Sequence, residues 1–407
     1  MQGFDWLAAS LTELRQAGLF RRRRNLLSTQ GARVRVGRRE LVNFASNDYL
    51  NLAADVRVIR AVIRAVRRYG CGAGASPLIL GWSVPLRALE RDLARWQGTE
   101  SALVFPSGFA ANLGVLTALA GAQDVIFSDA FNHASLIDGC RLSKARIHIY
   151  RHADLDHLAW LLSQHCPTVR CGDCGQSVRR RFIVTDSVFS MDGDIAPLAD
   201  LVALADKYEA TLVVDEAHAT GVFGPEGRGL VAELPRLPSA GLVKIGTLSK
   251  ALGSQGGFVC GPRTLIRFLV NRARSYIFST ALHIAAAAGA RAALHILQRE
   301  PQRRERLHHV AQLLRQRLST LRIWPHPDAA SLQPQAVVPF SPIVPIILGD
   351  PQRAVALSRA LQDRGFLVPA IRPPSVPPGT SRLRISLTAG HTESEVLALA
   401  DALAELL

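Results

Sequence analysis

The sequence predicts an α/β protein with a large domain on a mostly parallel, seven-stranded sheet and a smaller α+β domain at the C-terminal end. Seven short apolar runs have the length and composition of buried strands, and helical patterns fall between most of them. This alternation is typical of a parallel sheet with helices on both faces. Beyond Tyr276 the alternation stops. We therefore predict an N-terminal helix and hairpin segment (1–50), a large domain (51–285) and a small C-terminal domain (286–407).

The spacing of apolar and polar residues places each element along the chain. Before the sheet, helices are predicted at 4–18, 55–69 and 84–96, and a hairpin at 34–36 and 41–44. The seven strands are predicted at 102–105, 125–127, 146–150, 182–185, 211–214, 242–245 and 257–260. The helices between them are predicted at 108–120, 133–142, 155–163 and 198–208. The later part is predicted to contain helices at 282–298, 303–321, 353–364 and 392–403, strands at 343–348, 366–368 and 382–387, and an irregular proline-rich connection at 324–342.

Length and composition exclude several classes of protein. A chain of 407 residues, 48% of them hydrophobic, can bury a substantial core. The most apolar helical stretch, 281–297, contains His283 and Arg291, so we expect no membrane segment. Asp5 and Glu13 interrupt the N-terminal pattern, which does not resemble a secretory signal or a transit peptide. We expect a cytoplasmic protein.

Charge and cysteine content leave two questions open. The net charge of +15 reflects either a compositional bias or attraction to a polyanionic partner, such as a nucleotide-bearing substrate, an acidic carrier protein or nucleic acid. The six cysteines show no regular disulfide framework, which fits a reducing compartment. His165, Cys166, Cys171 and Cys174 could hold zinc, but their irregular spacing favours a loop with incidental cysteines. We predict no metal site.

The residues that follow each strand are the first candidates for a site, because ligands of such sheets bind beyond the carboxyl ends of the strands. Ser107-Gly108-Phe109 opens a helix, and a helix N-terminus can bind a phosphate. His133 begins the next helix and could stack on a flat cofactor, although a lone histidine is more often a capping or core residue. Ser190 could donate a hydrogen bond to a cofactor oxygen, although turn chemistry also explains its surroundings.

Asp215 and His218 form a second candidate group. An acid at the end of a buried strand is costly to bury unless it is paired. A protonated pyridine nitrogen would pair with Asp215, and His218 could reach a phenolic oxygen on the same ring. The letters Asp-Glu-Ala-His also occur in some helicases, but those proteins need a phosphate loop that ends in Gly-Lys-Ser/Thr. None of the lysines of this chain follows a glycine.

Lys250 is the candidate nucleophile among only four lysines. Lys144 and Lys207 fall on polar stretches of predicted helices, and Lys244 lies inside a strand. Lys250 follows a strand end among glycine, serine and threonine residues, where a desolvated amine can form a Schiff base with pyridoxal phosphate. An ordinary surface lysine is the alternative for this stretch alone. The evidence for pyridoxal phosphate lies in the combination of features along one sheet edge. They are a helix N-terminus for the phosphate, a histidine that could stack, an acid–histidine pair and this lysine.

These residues resemble the α-oxoamine synthases, which are pyridoxal phosphate enzymes of fold type I, the aspartate aminotransferase fold. The resemblance covers nearly the whole chain and rests on the motifs Asn47-Asp48-Tyr49-Leu50, Ser107-Gly108-Phe109-Ala110-Ala111-Asn112, His133-Ala134-Ser135-Leu136, Phe189-Ser190-Met191-Asp192-Gly193, Asp215-Glu216-Ala217-His218-Ala219-Thr220-Gly221 and Thr247-Leu248-Ser249-Lys250. The stretch Ala370-Ile371-Arg372-Pro373-Pro374-Ser375-Val376-Pro377 with Arg382-Leu383-Arg384 resembles the member that makes 8-amino-7-oxononanoate for biotin synthesis. Gly74-Ala75-Ser76-Pro77 departs from the family's usual glycine–serine pattern, and 166–181 resembles a lengthened connection.

The resemblance implies a role for each candidate residue. Lys250 would hold the cofactor and act as acid and base, and His133 would stack on the ring. Asp215 would pair with the pyridine nitrogen, while His218 and Ser190 would bond the phenolic oxygen. The residues that would line the cofactor and its phosphate are Gly108, Phe109 and Thr247. Asn47 and Arg384 would hold the carboxylate of the amino acid. Arg21, chosen from the run 21–24, and Ser375 would contact the acyl chain.

The implied reaction joins L-alanine to the acyl group of pimeloyl-CoA or a pimeloyl-acyl-carrier protein, with loss of carbon dioxide. The resemblance also implies a homodimer with shared sites, in which Ser279 and Thr280 reach the phosphate of the neighbouring chain. It predicts no nucleic acid and no membrane as partners. Two alternatives stay open: a sister synthase that uses glycine or serine, of the 2-amino-3-oxobutyrate ligase or 5-aminolevulinate synthase type, and a non-catalytic or nucleic-acid-binding role for a basic protein.

Overall fold

A computed structural model describes residues 3–165, 180–323 and 341–407 of the chain. The proposed zinc ligands Cys166, Cys171 and Cys174 and all but the end of the proline-rich stretch 324–342 lie outside these ranges. The strands are β1 (Arg33–Val36), β2 (Arg39–Asn43), β3 (Ser101–Phe105), β4 (Val125–Asp129), β5 (Arg146–Tyr150), β6 (Arg181–Asp186), β7 (Ala210–Asp215), β8 (Leu242–Thr247), β9 (Gly257–Gly261), β10 (Ile343–Gly349), β11 (Phe366–Leu367), β12 (Ala370–Ile371) and β13 (Ser381–Ser386).

The α-helices include two that were not predicted, Arg263–Arg272 and Arg274–Ile277, and otherwise agree with the predicted pattern to within a few residues at each end. They are α1 (Asp5–Gln16), α2 (Val56–Tyr69), α3 (Val84–Gln97), α4 (Gly108–Leu119), α5 (Ala134–Leu142), α6 (Leu155–Ser163), α7 (Leu198–Lys207), α8 (Arg263–Arg272), α9 (Arg274–Ile277), α10 (Ile284–Arg299), α11 (Gln302–Thr320), α12 (Pro351–Asp363) and α13 (Glu393–Leu406). Lys144 was predicted on a helix and is not, because α5 ends at Leu142 and Lys144 adopts a positive φ of 66° in the turn that follows. Within the described ranges, no helix combines the length and the apolar character that a membrane span needs.

The chain forms two compact units, which are described separately. The sheet unit comprises Asp55–Phe189 and Ile195–Pro301, and the terminal unit comprises Met1–Ala54, Ser190–Asp194 and Gln302–Leu407. The predicted segments 1–50, 51–285 and 286–407 are consecutive, whereas these units are not, and Ser190–Asp194 groups with the terminal unit. Helix α10 lies in the sheet unit because it packs on α2 and α3. The N-terminal segment groups with the C-terminal residues because β11 extends its hairpin by pairing with β2.

The sheet unit is built on a seven-stranded sheet in the order β3-β9-β8-β7-β6-β4-β5. Strand β9 is antiparallel to both of its neighbours, β3 and β8, and the remaining strands run parallel to one another. The carboxyl ends of all strands except β9 therefore lie at one edge. Strands β6 and β9 are buried along their whole length, as expected of strands covered on both faces.

The core of the sheet unit lies between this sheet and the helices α4, α5 and α8. Phe105, Leu116, Val213 and Tyr276 are among its buried side chains. Helix α4 is apolar along most of its length, and its buried face includes one amide, Asn112. Burial of this apolar surface holds α4 against the sheet, so its N-terminus is fixed at the carboxyl edge of β3.

The terminal unit contains two small sheets. The antiparallel hairpin of β1 and β2 is extended by β11, and the second sheet has the order β10-β13-β12. Strand β12 was not predicted. Helix α13 begins with a capping box between Thr392 and Glu395, and α1 buries none of its residues.

Candidate active site

The predicted candidates for the cofactor, apart from Ser190 of the terminal unit, lie at the carboxyl edge of the seven-stranded sheet. Asp215 is the last residue of β7, and Thr247 is the last residue of β8. His133 precedes α5 after β4, and His218 is buried in the turn after β7. Strand β8 runs two residues farther than predicted, and Lys250 follows its end by three residues. Because these strands are parallel, the topology brings the candidates from distant parts of the sequence to one edge.

The N-terminus of α4 forms an anion seat beside Thr247. Ser107 caps the helix by accepting a hydrogen bond from the Ala110 N–H, at 3.0 Å. Helix geometry leaves the N–H groups of Gly108 and Phe109 without intrahelical acceptors, and the helix dipole favours an anion there. A Cβ on Gly108 would lie 3.3 Å from Thr247 Oγ1, so glycine keeps the seat open. A phosphate group fits this seat.

Glycine also allows β9 to approach the anion seat. A Cβ on Gly257, the first residue of β9, would come within 2.6 Å of Gly108 Cα. The Thr247 hydroxyl donates to the Gly256 carbonyl, at 2.9 Å, and accepts from the Ser249 N–H, at 3.3 Å. The backbone before β9 therefore fixes the hydroxyl of Thr247 next to the first turn of α4.

Asp215 is buried, with 5% of its surface exposed, and its carboxylate is held from two sides. The Asn112 side-chain amide donates to Oδ2 at 2.6 Å, and the Ala217 N–H donates to Oδ1 at 2.7 Å. Donors of this kind stabilise the charged form of a buried acid. The arrangement fixes a negative charge at the end of β7, where it can pair with a protonated ring nitrogen.

His133 is linked to Asp215 through Ser135 and Asn112. The Asn112 amide also donates to Ser135 Oγ, at 2.8 Å, and Ser135 Oγ lies 2.7 Å from His133 Nδ1. The Ser135 N–H donates to the same Nδ1, at 3.3 Å, as the cap of α5. Nδ1 is therefore an acceptor, and in the neutral ring the proton lies on Nε2.

The electrostatics of His133 favour that neutral form. Desolvation lowers the pKa of His133, and the positive charge of Lys250 lowers it further, while Asp215 acts in the opposite direction. The residue is exposed to solvent although Nδ1 of its side chain caps a helix. His133 thus caps α5, as one of the two interpretations predicted, and its stacking on a cofactor stays a prediction.

Lys250 is half-buried, and its charge influences His133 and Asp186. Lys244, the other lysine of this region, is committed elsewhere. Its Nζ forms an ion pair with Glu216, at 2.6 Å, and donates to the Arg228 carbonyl. The structure therefore leaves Lys250 as the lysine at the carboxyl edge of the sheet.

Asp186, at the end of β6, was not selected from the sequence. It is almost fully buried and accepts a hydrogen bond from the His133 N–H, at 2.7 Å. Asn112 and Ser135 were likewise given no role. A sequence signal was present for Asp186, which ends a buried strand as Asp215 does.

The terminal unit contains the predicted substrate residues. Arg384 is buried, and its Nη1 donates to Asn47 Oδ1 at 3.1 Å and to Ser386 Oγ at 2.7 Å. Its Nε donates to the carbonyl of Ser190, which belongs to this unit and not to the sheet unit. The structure thus places Asn47 against Arg384, a guanidinium that can bind a carboxylate.

Arg21 and Ser375 meet at one backbone turn of the terminal unit. The exposed guanidinium of Arg21 donates to the Pro373 carbonyl at 2.9 Å and to the Arg372 carbonyl at 3.5 Å. The Ser375 N–H donates to the same Arg372 carbonyl, at 3.1 Å. Burial lowers the pKa of Arg372, and the charge of Arg21 lowers it further. Two cations therefore lie close together here, which favours an anionic ligand.

The residues at the sheet edge fit pyridoxal phosphate. The anion seat suits the phosphate, Asp215 suits the pyridine nitrogen, and Lys250 supplies an amine close to both His133 and Asp186. In the described part of the chain, no group of three or more histidine, cysteine or acidic side chains is arranged to hold a metal ion. The donor set of this edge is therefore suited to an organic phosphate.

Comparison with known proteins agrees with this geometry. The model of the family "Aminotransferase class I and II" matches residues 39–403. The 8-amino-7-oxononanoate synthase of Anaeromyxobacter sp. (strain Fw109-5) is 50% identical over 404 residues, which are 99% of this chain and 96% of that protein.

Solved structures show the same fold. Serine palmitoyltransferase from S. paucimobilis, with bound PLP–myriocin aldimine, matches with a TM-score of 0.88 and 30% identity, and the match covers 99% of this chain and 97% of that one. The 8-amino-7-oxononanoate synthase of Francisella tularensis matches with a TM-score of 0.73 and 27% identity over 90% of this chain and 97% of that one. The chain therefore belongs to the class I and II aminotransferase family, in its branch of 8-amino-7-oxononanoate synthases.

Proposed function

We propose that this chain is a pyridoxal phosphate-dependent acyltransferase of biotin biosynthesis. It joins L-alanine to the acyl group of a pimeloyl thioester and releases carbon dioxide and the free thiol, and the product is 8-amino-7-oxononanoate. The observation that carries the proposal is the single sheet edge that holds Lys250, the Asp215–Asn112 pair, the neutral ring of His133 and the anion seat of α4. The identity of 50% to a synthase of this kind over 99% of the chain supports the choice of reaction.

The bound cofactor supplies the electron sink of the reaction, and the residues of the chain bind, orient and move protons around it. Lys250 holds the cofactor through its amine and transfers the proton of the alanine Cα. Asp215 carries a fixed negative charge for the pyridine nitrogen, so the charge that develops on the ring is stabilised without rearrangement. His218 and Ser190 are assigned to the phenolic oxygen.

His133 has two tasks in this proposal. Its flat ring stacks on the cofactor, and the Nε2–H, which is left free by the two donors at Nδ1, donates to an oxygen of the substrate. A neutral donor can polarise a carbonyl without giving up its proton. The hydrogen-bond chain through Ser135 and Asn112 keeps the proton on this nitrogen.

The substrates are assigned to residues of the terminal unit. Arg384, with Asn47 beside it, holds the carboxylate of alanine, because a buried guanidinium binds a carboxylate strongly and directionally. Arg21 and Ser375 contact the acyl chain, whose far end carries a second carboxylate in the free-acid form. The proximity of Arg21 and Arg372 favours that anion.

A homodimer is part of the proposal. In the sheet unit, the helical turn Pro77–Gly81 exposes Ile79 at 72% and Leu80 at 85%, and α2 exposes Ile59 and Ile63. Exposed large apolar side chains such as these are what a dimer interface would bury. Ser279 and Thr280 would complete the phosphate seat of the neighbouring chain. Mixing inactive Lys250→Ala protein with an inactive Ser279→Ala/Thr280→Ala variant should restore activity, and no restoration would contradict shared sites.

We place the enzyme in the cytoplasm. Cys71, Cys140 and Cys260 are free thiols, as expected in a reducing compartment. The choice between coenzyme A and an acyl-carrier protein as thiol carrier is part of the experiment below.

Serine palmitoyltransferase provides a second candidate function. Its backbone matches with the higher TM-score, 0.88 against 0.73. Backbone similarity reports the fold, whereas substrate choice depends on side chains. The identity of 30% to that enzyme against 50% to the Anaeromyxobacter synthase therefore favours alanine and pimeloyl thioester over serine and a long-chain thioester.

Product identification by mass spectrometry tests the proposal. The purified enzyme is incubated with each of L-alanine, glycine and L-serine, combined with pimeloyl-CoA, pimeloyl-acyl-carrier protein, acetyl-CoA, succinyl-CoA or palmitoyl-CoA. We expect 8-amino-7-oxononanoate from alanine with a pimeloyl thioester and much less product from the other pairs. Lys250→Ala protein serves as the inactive control. A preference for serine with palmitoyl-CoA, or no product from any pair, would reject the proposed reaction.

A further inference from the structure

Two buried carboxyl groups end neighbouring strands of the sheet. Asp186 is the last residue of β6 and Asp215 the last residue of β7, and they are direct partners in the parallel register. Only 2% of the surface of Asp186 and 5% of that of Asp215 is exposed. Two negative charges held side by side away from water repel each other, so such a pair shares one charge.

The hydrogen bonds differ between the two acids. Asp215 accepts from the Asn112 amide and from the Ala217 N–H, one donor at each oxygen. Among the described residues, the carboxyl of Asp186 accepts one hydrogen bond, which the His133 N–H donates to Oδ2 at 2.7 Å. More donors stabilise the ionised form, so the negative charge belongs on Asp215 and the proton on Asp186.

The groups around Asp186 support this distribution. Burial raises the pKa of Asp186 well above its ordinary value, and the charge of Asp215 raises it further. Asp129, at the end of β4, acts in the same direction, while the His133 N–H and the charge of Lys250 act in the opposite one. Tyr150, at the end of β5, also faces this group, and its own pKa is raised by burial. An acidic neighbourhood of this kind disfavours a second carboxylate.

We propose that Asp186 is a neutral carboxylic acid in the working enzyme and acts as a positioning residue for His133 and Asp215. Its Oδ2 accepts a hydrogen bond from the backbone N–H of His133 at the start of α5, and this bond fixes the position of the His133 ring. Its neutrality leaves the negative charge of the pair on Asp215, where the proposed reaction needs it. The purpose of a neutral Asp186 rests on the proposed function, whereas the spectroscopic test of its protonation does not.

Infrared difference spectroscopy of the full-chain, cofactor-loaded enzyme tests the proposal near neutral pH. The spectrum of the wild type minus that of Asp186→Asn should contain the C=O stretch of a protonated carboxyl, and this band should shift in heavy water. Asp124→Asn is the matched control, because Asp124 is equally buried but forms an ion pair with Arg180 at 2.9 Å. Its difference spectrum should contain carboxylate bands and the amide bands of the introduced asparagine, without the band of a protonated carboxyl. The same absence of a protonated-carboxyl band for Asp186→Asn would overturn the proposal.

A second measurement needs no variant. Wild-type enzyme labelled with ¹³C at the aspartate carboxyls should show one aspartate resonance that keeps the chemical shift of a protonated acid from mildly acidic to neutral pH. The label excludes Glu90, a buried acid whose pKa is also raised, to about 7. If every aspartate resonance has the shift of a carboxylate at neutral pH, the proposal is wrong.

Kinetics separate the positioning role from a purely structural one. Asparagine is neutral and keeps an oxygen for the His133 N–H, so Asp186→Asn should retain kcat within about threefold, whereas Asp186→Leu should lower kcat by about tenfold or more. A large loss in Asp186→Asn would show that the charge of Asp186 is needed and would overturn the proposal. The spectroscopy uses no substrate, so an error in the assigned reaction would appear in product identification and leave the protonated carboxyl unaffected.

Discussion

Asn112 connects the acid and the histidine of the site, and its removal gives a quantitative prediction. The amide donates to Asp215 Oδ2 at 2.6 Å and to Ser135 Oγ at 2.8 Å, and only 1% of the residue is exposed. Asn112→Ala removes a bond to a charged acceptor, which contributes about 1.5–3 kcal/mol in proteins, and a neutral bond that contributes about 1 kcal/mol. Water cannot replace either bond readily at a buried position.

The first loss should appear in cofactor affinity. If the carboxylate of Asp215 loses about 1.5–3 kcal/mol of stabilisation, the dissociation constant for pyridoxal phosphate should rise by about ten- to a hundredfold. The assay is a spectrophotometric titration of cofactor-free protein with pyridoxal phosphate. Ser135→Ala removes the bonds of Ser135 Oγ to Asn112 and to His133 but leaves the bond from Asn112 to Asp215, so it should lower kcat with a smaller effect on cofactor affinity.

A matched control separates this effect from a general loss of stability. Asn271→Ala removes a hydrogen bond from a side-chain amide to the Arg267 carbonyl on the exposed face of α8. This change should leave cofactor affinity unchanged. Circular dichroism would verify that each variant is folded. If Asn112→Ala binds the cofactor as tightly as Asn271→Ala, the reasoning that Asn112 stabilises the charge of Asp215 is refuted.

Three further predictions concern single groups of the sheet unit. Lys250→Ala should keep the fold but lose covalent attachment of the cofactor, so borohydride reduction should no longer raise the mass of the chain; attachment at Lys244 would contradict the assignment. Asp215→Asn should slow exchange of the alanine α-proton in heavy water by about a hundredfold, as removal of one preorganised stabilising group does, and unchanged exchange would exclude this role. Burial raises the pKa of Glu90 to about 7 from 4.5. As the pH rises between these two values, the unfolding free energy should therefore fall by up to about 1.4 kcal/mol per pH unit, and it should level off at higher pH. If the carboxyl is responsible, urea unfolding of Glu90→Gln should show a flatter pH dependence.

The fold could be predicted from the sequence because its strands are buried. A strand covered on both faces must be a short apolar run, and each of the seven predicted strands is present within about two residues at either end. The antiparallel direction of β9 and the position of α10 in the sheet unit were not predictable in the same way. Strand direction and helix packing depend on contacts between distant residues, which a local pattern does not contain.

The same distinction applies to the candidate site, where residues recognisable from their own position were predicted and residues that depend on distant contacts were not. Residues whose own position is informative were selected, such as Lys250 after a strand and Asp215 at a strand end. Asn112 and Ser135 were not, because their importance arises from each other and from Asp215, across three elements of the fold. Asp186 was missed although the burial argument used for Asp215 applies to it equally. Its pairing with Asp215 becomes visible only in the register of β6 and β7.

The two lysines near β8 show why a strand-end position matters for chemistry. Lys244 is buried inside the strand and is neutralised by Glu216, a fully buried acid that also accepts the Val231 N–H at 2.8 Å. An amine held in a buried ion pair is not available as a nucleophile. Glu216 directly follows Asp215, so two adjacent acids have separate partners: Glu216 binds the lysine of the core, and Asp215 faces the site. This separation agrees with the proposed function, which assigns Asp215 and Lys250 to the cofactor.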